Sequence, residues 1–370
     1  MIGAGIVGAA CALALREEGL QVALVDAATP GAGATAAGMG HLVALDESAG
    51  ELDLCLLSLG LWRDFHARHP GVGDPSACGT LWVAENEDQL QEAHQRAQRL
   101  SARGYSADAV GGDQLRRLEP ALRRGLCGGV RVSGDSVVYP PAVADFLARR
   151  LVGLGGDLYA GQRVVAIGEG SVRLAGGAVL AAGRIVVAAG VQAAALMPEI
   201  PVFGRKGHLA ITDRYPDTLS HQVVSMNYGQ PAPGQDALSV AANVQPRGTG
   251  QWLVGSCRQD HQDSLAVDPA VLAQVLRTAI ALLPRLAHMQ VLRAWTGMRP
   301  ATPDGQPLIG AHPARQDVWL ACGHEGLGVT TAFGTAALLA AQITGRAPPI
   351  DATPYQPSRF TSMREMSHAS

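Results

Sequence analysis

Little of this chain is charged. Aspartate, glutamate, lysine and arginine make up 16% of its 370 residues, hydrophobic residues make up 47%, and the formal net charge is −3. That balance supplies a large buried core and argues against disorder. It also leaves no cationic field for a phosphate backbone, so no nucleic-acid partner is expected. No run of lysines or arginines occurs, and the doublets Arg116-Arg117, Arg123-Arg124 and Arg149-Arg150 read as solvated helix faces. The six cysteines, Cys11, Cys55, Cys78, Cys127, Cys257 and Cys322, show no C-x-x-C or other metal-ligand spacing. We therefore expect no metal and no iron–sulfur cluster of the chain's own, in a reduced, cytoplasmic protein. No internal repeat is apparent, and the polar tail Ser358 to Ser370 is expected to fray.

What the chain does have is glycine in informative places. Gly3, Gly5 and Gly8 form G-x-G-x-x-G ahead of an apolar helix, and Asp26 closes the run Val22-Ala23-Leu24-Val25. In a dinucleotide-binding turn the first glycine permits the tight turn, the second lets backbone approach a pyrophosphate, and the third lets the helix pack on the sheet. The helix N-terminus then offers free N–H groups and a positive dipole end to the phosphates. Asp26 stands where an acid accepts from a ribose hydroxyl, which suits the unmodified ribose of NAD or FAD better than a 2′-phosphate.

From Ile2 to Leu15 the chain carries no charge and could pass for the core of a signal peptide. No basic segment precedes it, and the stretch is too short to span a bilayer. Only Met1 and Ile2 precede Gly3, whereas a strand needs about five residues. We expect the natural start to lie upstream of Met1.

Further along, Gly31 to His41 is rich in small residues but interrupted by Thr35, Met39 and His41, so backbone there is expected to approach a ligand rather than to link domains. Helical spacing runs from Leu52 to Arg68 and from about Glu87 to Arg103, with a strand at Gly79 to Ala84 between them. Pro140-Pro141 opens a helix that continues from Ala142 to Leu151. Short strands follow at Arg163 to Ile167, Ser171 to Leu174 and Arg184 to Ala188, the last running into Ala189-Gly190. That end reads equally as a second cofactor contact or as a helix cap. Val202 to Asp260 is strand-rich, with Gly207 to Thr212 and Gln251 to Ser256 clearest, and a helix from Pro269 to Leu283 stops at Pro284.

Near the C-terminus Arg299 stands on an otherwise neutral segment before the turn Pro303-Asp304-Gly305. Such a guanidinium is either paired across the fold or waiting for an anionic ligand. Strand Val318 to Cys322 then leads through Gly323-His324-Glu325-Gly326-Leu327-Gly328 into an apolar helix, Val329 to Thr344. A helix terminus there would stabilise the negative charge that a flavin gains near N1 and O2.

On Gly3-Ala4-Gly5-Ile6-Val7-Gly8, Gly38-Met39-Gly40-His41-Leu42, Val187-Ala188-Ala189-Gly190, Gly297 to Gly310 and Gly323 to Gly328, the chain resembles the D-amino acid oxidase superfamily of FAD enzymes. Within it, the resemblance is to the glycine oxidase-like and D-amino acid dehydrogenase-like branch, most of all to the flavin subunits of D-hydroxyproline dehydrogenase and hydrogen cyanide synthase, and it runs from Ile2 to about Phe360. It implies an α/β fold in which an FAD-binding Rossmann-like, glutathione reductase-type domain (1–80, 140–200 and 292–370) carries an inserted α+β substrate domain with an antiparallel sheet (81–139 and 201–291).

By the same resemblance Asp26 binds the adenosine ribose, Thr35 and Ala36 line the pyrophosphate, and Met39 to His41 lie along the flavin. Val164 touches adenine through backbone, and Gly323 to Val329 hold the isoalloxazine. Arg299 would clamp a substrate carboxylate and place its Cα–H beneath flavin N5, with His41 and His324 as further catalytic candidates. The product would be an imine, and desolvation of the amine would stand in for a strong base. Relatives with covalent flavin carry cysteine near Gly297; this chain does not, so dissociable FAD is expected.

A D-hydroxyproline-like or D-proline-like substrate ranks first and glycine or sarcosine second. The electron acceptor is left open among oxygen, a quinone and a partner subunit, as are a hetero-oligomer and peripheral attachment to the inner membrane. Two rivals are weighed. An NAD-dependent dehydrogenase would share the first motif but not explain the Arg299 block, and a flavin-binding partner subunit inactive alone would show activity only on co-expression.

Overall fold

The computed structural model describes residues 1–215, 219–227 and 238–360. Parts of the strand-rich stretch before Asp260, and most of the tail expected to fray, lie outside them. Two sheets organise the molecule. In the first, parallel strands Asp157–Tyr159 and Ala23–Val25 are joined to Ile185–Val187, Val318–Cys322 and Leu308–Ala311 through Ile2, which bridges Val25 on one side and Val187 on the other. The central strand is thus the stub that the sequence shows, and its backbone is held by Ile2 N–H on Val186 and Ala188 N–H on Ile2.

Helix Ile6–Glu17 follows at once. Its alanine-rich sequence, with neither proline nor a run of β-branched residues, favours helix, and its small side chains let it bury deeply against the helices Pro140–Gly153 and Ala332–Thr344. Helix Ala49–Arg68 is started by the Ser48 hydroxyl, which accepts from Glu51 N–H. Its Trp62 is buried against Phe333 at 4.4 Å.

The second sheet has eight strands in the order Val291–Ala301, Phe203–Thr212, Trp252–Asp260, Leu238–Pro246, Gln222–Ser225, Thr80–Ala84, Gly128–Val132, Ala107–Gly111. Its pairs are antiparallel except Gln222–Ser225 with Thr80–Ala84. One face is covered by the helix Pro269–Leu282, whose Val271, Val275 and Ala279 join a core with Trp252 and Val254. The other face meets the nucleotide-binding half through Met39, Leu209 and Leu253.

Strand Val291–Ala301 belongs to the large sheet, paired along its length with Phe203–Thr212. One expectation is corrected. The C-terminal apolar helix starts at Ala332, because Glu325–Leu327 is a short 3-10 turn and the buried Thr330 and Thr331 follow it.

Candidate active site

A cavity of about 630 Å³ runs between the two sheets, from Asp26 and Val164 at one end to Arg299 and Glu325 at the other. Its first part is built on the glycine turn. Gly3 has φ +101, and a Cβ there would lie 2.4 Å from the Ala188 carbonyl oxygen; a Cβ on Gly8 would lie 1.9 Å from the Gly3 carbonyl oxygen. Only glycine lets the turn, the helix and strand Ile185–Val187 meet so closely. The first turn of helix Ile6–Glu17 has no acidic residue of its own, and its positive end faces the cavity.

Asp26 accepts from Ala4 N–H at 2.6 Å and Ala28 N–H at 2.7 Å, which fixes its carboxylate at the mouth of the turn. Thr35 Oγ1 accepts from Ile6 N–H at 3.0 Å and ties the small-residue loop to the helix start. These features fit the pyrophosphate and ribose of a dinucleotide.

Of the residues singled out in the sequence, Gly3, Gly5, Ile6, Val7, Asp26, Thr35, Gly38, Met39, Gly40 and His41 line this cavity, and from later in the chain so do Val164, Ala189, Gly190, Arg299, His324, Glu325, Gly326, Gly328 and Val329. Four do not. Gly8 packs beneath the turn, Ala36 is exposed while its neighbour Ala37 faces the cavity, Gly323 turns against Thr302, and Leu327 packs among Val43, Leu52 and Trp82. The strand end at Ala189-Gly190 lines the cavity and opens the short 3-10 turn Gly190–Gln192.

At the far end, Arg299 is the centre of the polar wall. Its Nη1 donates to the Cys257 carbonyl at 2.9 Å and its Nη2 to Ser256 Oγ at 3.0 Å. Among the described residues no carboxylate lies within 4.0 Å of it. Glu325 sits in the left-handed region at φ +46, with Oε2 accepting from Gly326 N–H at 2.5 Å. Burial pushes its carboxyl upward, but Arg299, Arg258 and Arg205 outweigh that and hold it below the usual carboxylate range.

The two histidines are built into the wall. His41 Nδ1 donates to Gln222 Oε1, because the Gln222 amide nitrogen is already spent on Thr80 and Ser136; His41 Nε2 is then left to accept from Asn243 at 3.2 Å. Burial, with Arg247 and Arg299 behind it, pushes His41 down to about 4. His324 Nε2 meets Thr335 Oγ1 at 2.9 Å, and burial pushes it down to about 3. Both rings are neutral at physiological pH.

Sequence reasoning missed Ser256, Asn243 and Gln222. Their roles depend on strand register between segments far apart in the chain, and no local signal marks them.

A family profile described as FAD-dependent oxidoreductase (DAO) matches residues 1–342. The chain belongs to the DAO family. As in that family, FAD is its cofactor and oxidoreduction its chemistry. Among DAO relatives it is 29% identical over 383 residues to glycine oxidase of Pseudomonas aeruginosa, covering 97% of this chain and 98% of that one. It is 25% identical over 410 residues to hydrogen cyanide synthase subunit HcnC of the same organism, covering 97% and 95%. The solved structure of glycine oxidase from Geobacillus kaustophilus superposes with a TM-score of 0.87 at 24% identity, covering 97% of each chain.

Proposed function

We propose that this chain oxidises the C–N bond of a small amino or cyclic imino acid, with D-proline-like and D-hydroxyproline-like substrates first and glycine or sarcosine second. The observation that carries this reading is Arg299. A guanidinium facing a cofactor-sized cavity, anchored from behind by two oxygen acceptors and matched by no carboxylate within 4.0 Å among the described residues, suits a ligand carboxylate.

When bound, FAD supplies the hydride acceptor. The glycine turn and Thr35 would hold the pyrophosphate, Asp26 the ribose, and the backbone of His324 to Gly326 with Gly328 and Val329 the ring end. Arg299 orients the substrate by its carboxylate, and Leu209, Met39 and Leu253 exclude water on one side. In place of the catalytic role expected of them, we assign His41 and His324 a wall-building role: burial keeps both uncharged, and both nitrogens of His41 are engaged.

FAD is held without a covalent bond in this reading, so acid precipitation releases all of the flavin. A second reading, a flavin subunit of a multisubunit complex, is favoured by the 25% identity to a protein named as a subunit of hydrogen cyanide synthase. An anaerobic panel of amino and imino acids, followed through flavin absorbance and repeated after admitting oxygen, tests both. Bleaching by D-proline or D-hydroxyproline supports the first reading. Failure of every amino acid to bleach the isolated chain, with activity on co-expression, supports the second.

A further inference from the structure

Arg247, just past the strand Leu238–Pro246, is not among the residues that line the cavity, but its guanidinium grips the loop that does. Its Nη1 donates to the Val138 carbonyl at 3.2 Å and its Nη2 to the Met39 carbonyl at 3.0 Å. The Met39 carbonyl accepts a second hydrogen bond, from the side-chain amide of the fully buried Gln245. Among the described residues no carboxylate lies within 4.0 Å of Arg247, and Asp74 acts on it from farther off. A cation and a neutral donor thus converge on one backbone oxygen.

That oxygen belongs to the peptide joining Met39 to Gly40, both of which line the cavity. In a trans peptide the N–H points opposite to the C=O. With the carbonyl turned back to Arg247 and Gln245, the Gly40 N–H faces the other way, and among the described residues no acceptor takes it. A buried N–H without a partner is costly unless a ligand accepts from it, and Gly40 is buried. The turn is also fixed: Gly40 has φ +78, and a Cβ there would stand 2.0 Å from the Val138 carbonyl oxygen. This loop sits toward the Arg299 end of the cavity. A Cβ on Gly255 would lie 3.1 Å from the Met39 sulfur, beside the Ser256 that holds Arg299, and Arg247 and Arg299 both act on His41.

We propose that Arg247, together with Gln245, polarises the Met39–Gly40 peptide so that its N–H donates to the flavin ring and favours the reduced form. Hydrogen bonds accepted by an amide oxygen draw electron density from the amide and strengthen its N–H as a donor. A ring that gains negative charge on reduction gains more from such a donor than the oxidised ring does. Arg247 acts through the peptide and is a positioning residue. The inference needs FAD in the cavity and holds whichever amino acid is oxidised.

The test is the equilibrium potential of FAD bound to the full-length holoprotein, read from absorbance against a reference dye during slow anaerobic reduction by xanthine and xanthine oxidase, with no amino acid present. Arg247→Met keeps an apolar stem and removes the charged donor. At a potential where the parent is half reduced, its reduced-to-oxidised ratio should fall about tenfold, a shift of about 30 mV for a two-electron couple. Gln245→Leu removes a neutral donor from the same oxygen and should lower the ratio about threefold.

If Arg247→Met fails to retain FAD, Arg247→Gln, neutral but able to donate, takes its place and should lower the ratio by about threefold or more. An unchanged ratio in the Arg247 variant overturns the inference. So does a fall in that variant with none in Gln245→Leu, which would show a charge acting through space and not through the shared carbonyl. Either result leaves the amino-acid reading intact, because no substrate enters the measurement. That reading fails separately, if no amino or imino acid bleaches the parent holoprotein.

Discussion

The Ser256 hydroxyl accepts a hydrogen bond of 3.0 Å from Nη2 of Arg299, across two strands that are not neighbours in the sheet. Strand Phe203–Thr212 lies between them, and it leaves the space because position 207 is glycine: a Cβ there would stand 2.8 Å from the same Nη2. The guanidinium is thereby fixed before any ligand arrives, which lowers the cost of ordering it on binding.

Replacing Arg299 by leucine removes a charge-assisted interaction of about 3 kcal/mol, so the apparent KM for a carboxylate substrate should rise on the order of 100-fold with FAD content unchanged. Ser256→Ala leaves the charge but frees the fork, and a KM increase of about tenfold is expected, with kcat affected less. Steady-state kinetics beside flavin absorbance reads both; an unchanged KM in Arg299→Leu removes its assigned role.

Gly8→Ala should abolish stable FAD binding. The added methyl would meet the Gly3 carbonyl oxygen at 1.9 Å, and the opposing atom is backbone that cannot swing away. Moving the helix out widens the gap its N-terminus must bridge to the phosphates. Purified variant that is as yellow as the parent would contradict this.

Trp62 acts at a distance on the same site. Its indole N–H donates to the carbonyls of Val329 and Thr330, both at 3.1 Å, and so pins the chain just after the glycine loop. Trp62→Phe keeps the aromatic packing and strands two acceptors, at a cost of about 1–3 kcal/mol. A lower melting temperature and faster flavin loss, followed by fluorescence, are expected together; parent-like flavin retention would show that the loop does not depend on this anchor.

Asp135 gives a pH signature. Burial pushes its carboxyl up to about 7, although hydrogen bonds from Thr80, Ala44 and Tyr105 pull the other way. Because the folded value lies above the unfolded 3.8, the folded chain binds more protons between them. Its stabilising contribution is therefore complete below the unfolded value and is lost as pH rises through 7. Asp135→Asn does not titrate, so its stability relative to the parent should improve between pH 4 and 8, by at most on the order of 4 kcal/mol. Denaturant melts at the two pH values measure this, and a stability difference independent of pH would refute it.

Much of the nucleotide half was legible because its determinants are local. The glycine triplet, the acid at the end of the next strand and the helix between them are within one short run of chain, and sterics at Gly3 and Gly8 allow few alternatives. Helix Ala49–Arg68 and strands Thr80–Ala84, Ser171–Leu174 and Val318–Cys322 were legible for the same reason, the helix from its spacing and the strands from short apolar runs. The start of the C-terminal helix was misplaced because Val329, Thr330 and Thr331 are as apolar or as buried as the helix that follows, so periodicity could not mark the boundary. The pairing of strand Val291–Ala301 with Phe203–Thr212 was not legible because the two are distant in sequence.

The amino-acid sequence by itself determined that a glycine turn with an acid at the next strand end would stand at the N-terminus and that Arg299 would lack a nearby counter-charge along the chain. Only the tertiary structure decided that Ser256 and Cys257 would aim that guanidinium, that Arg205, Arg258 and Glu325 would gather beside it, and that His41 would be locked between Gln222 and Asn243. The reason is physical: a turn is set by the sterics of a few consecutive residues, whereas a charge cluster across strands is set by register, which the packing of whole sheet faces selects.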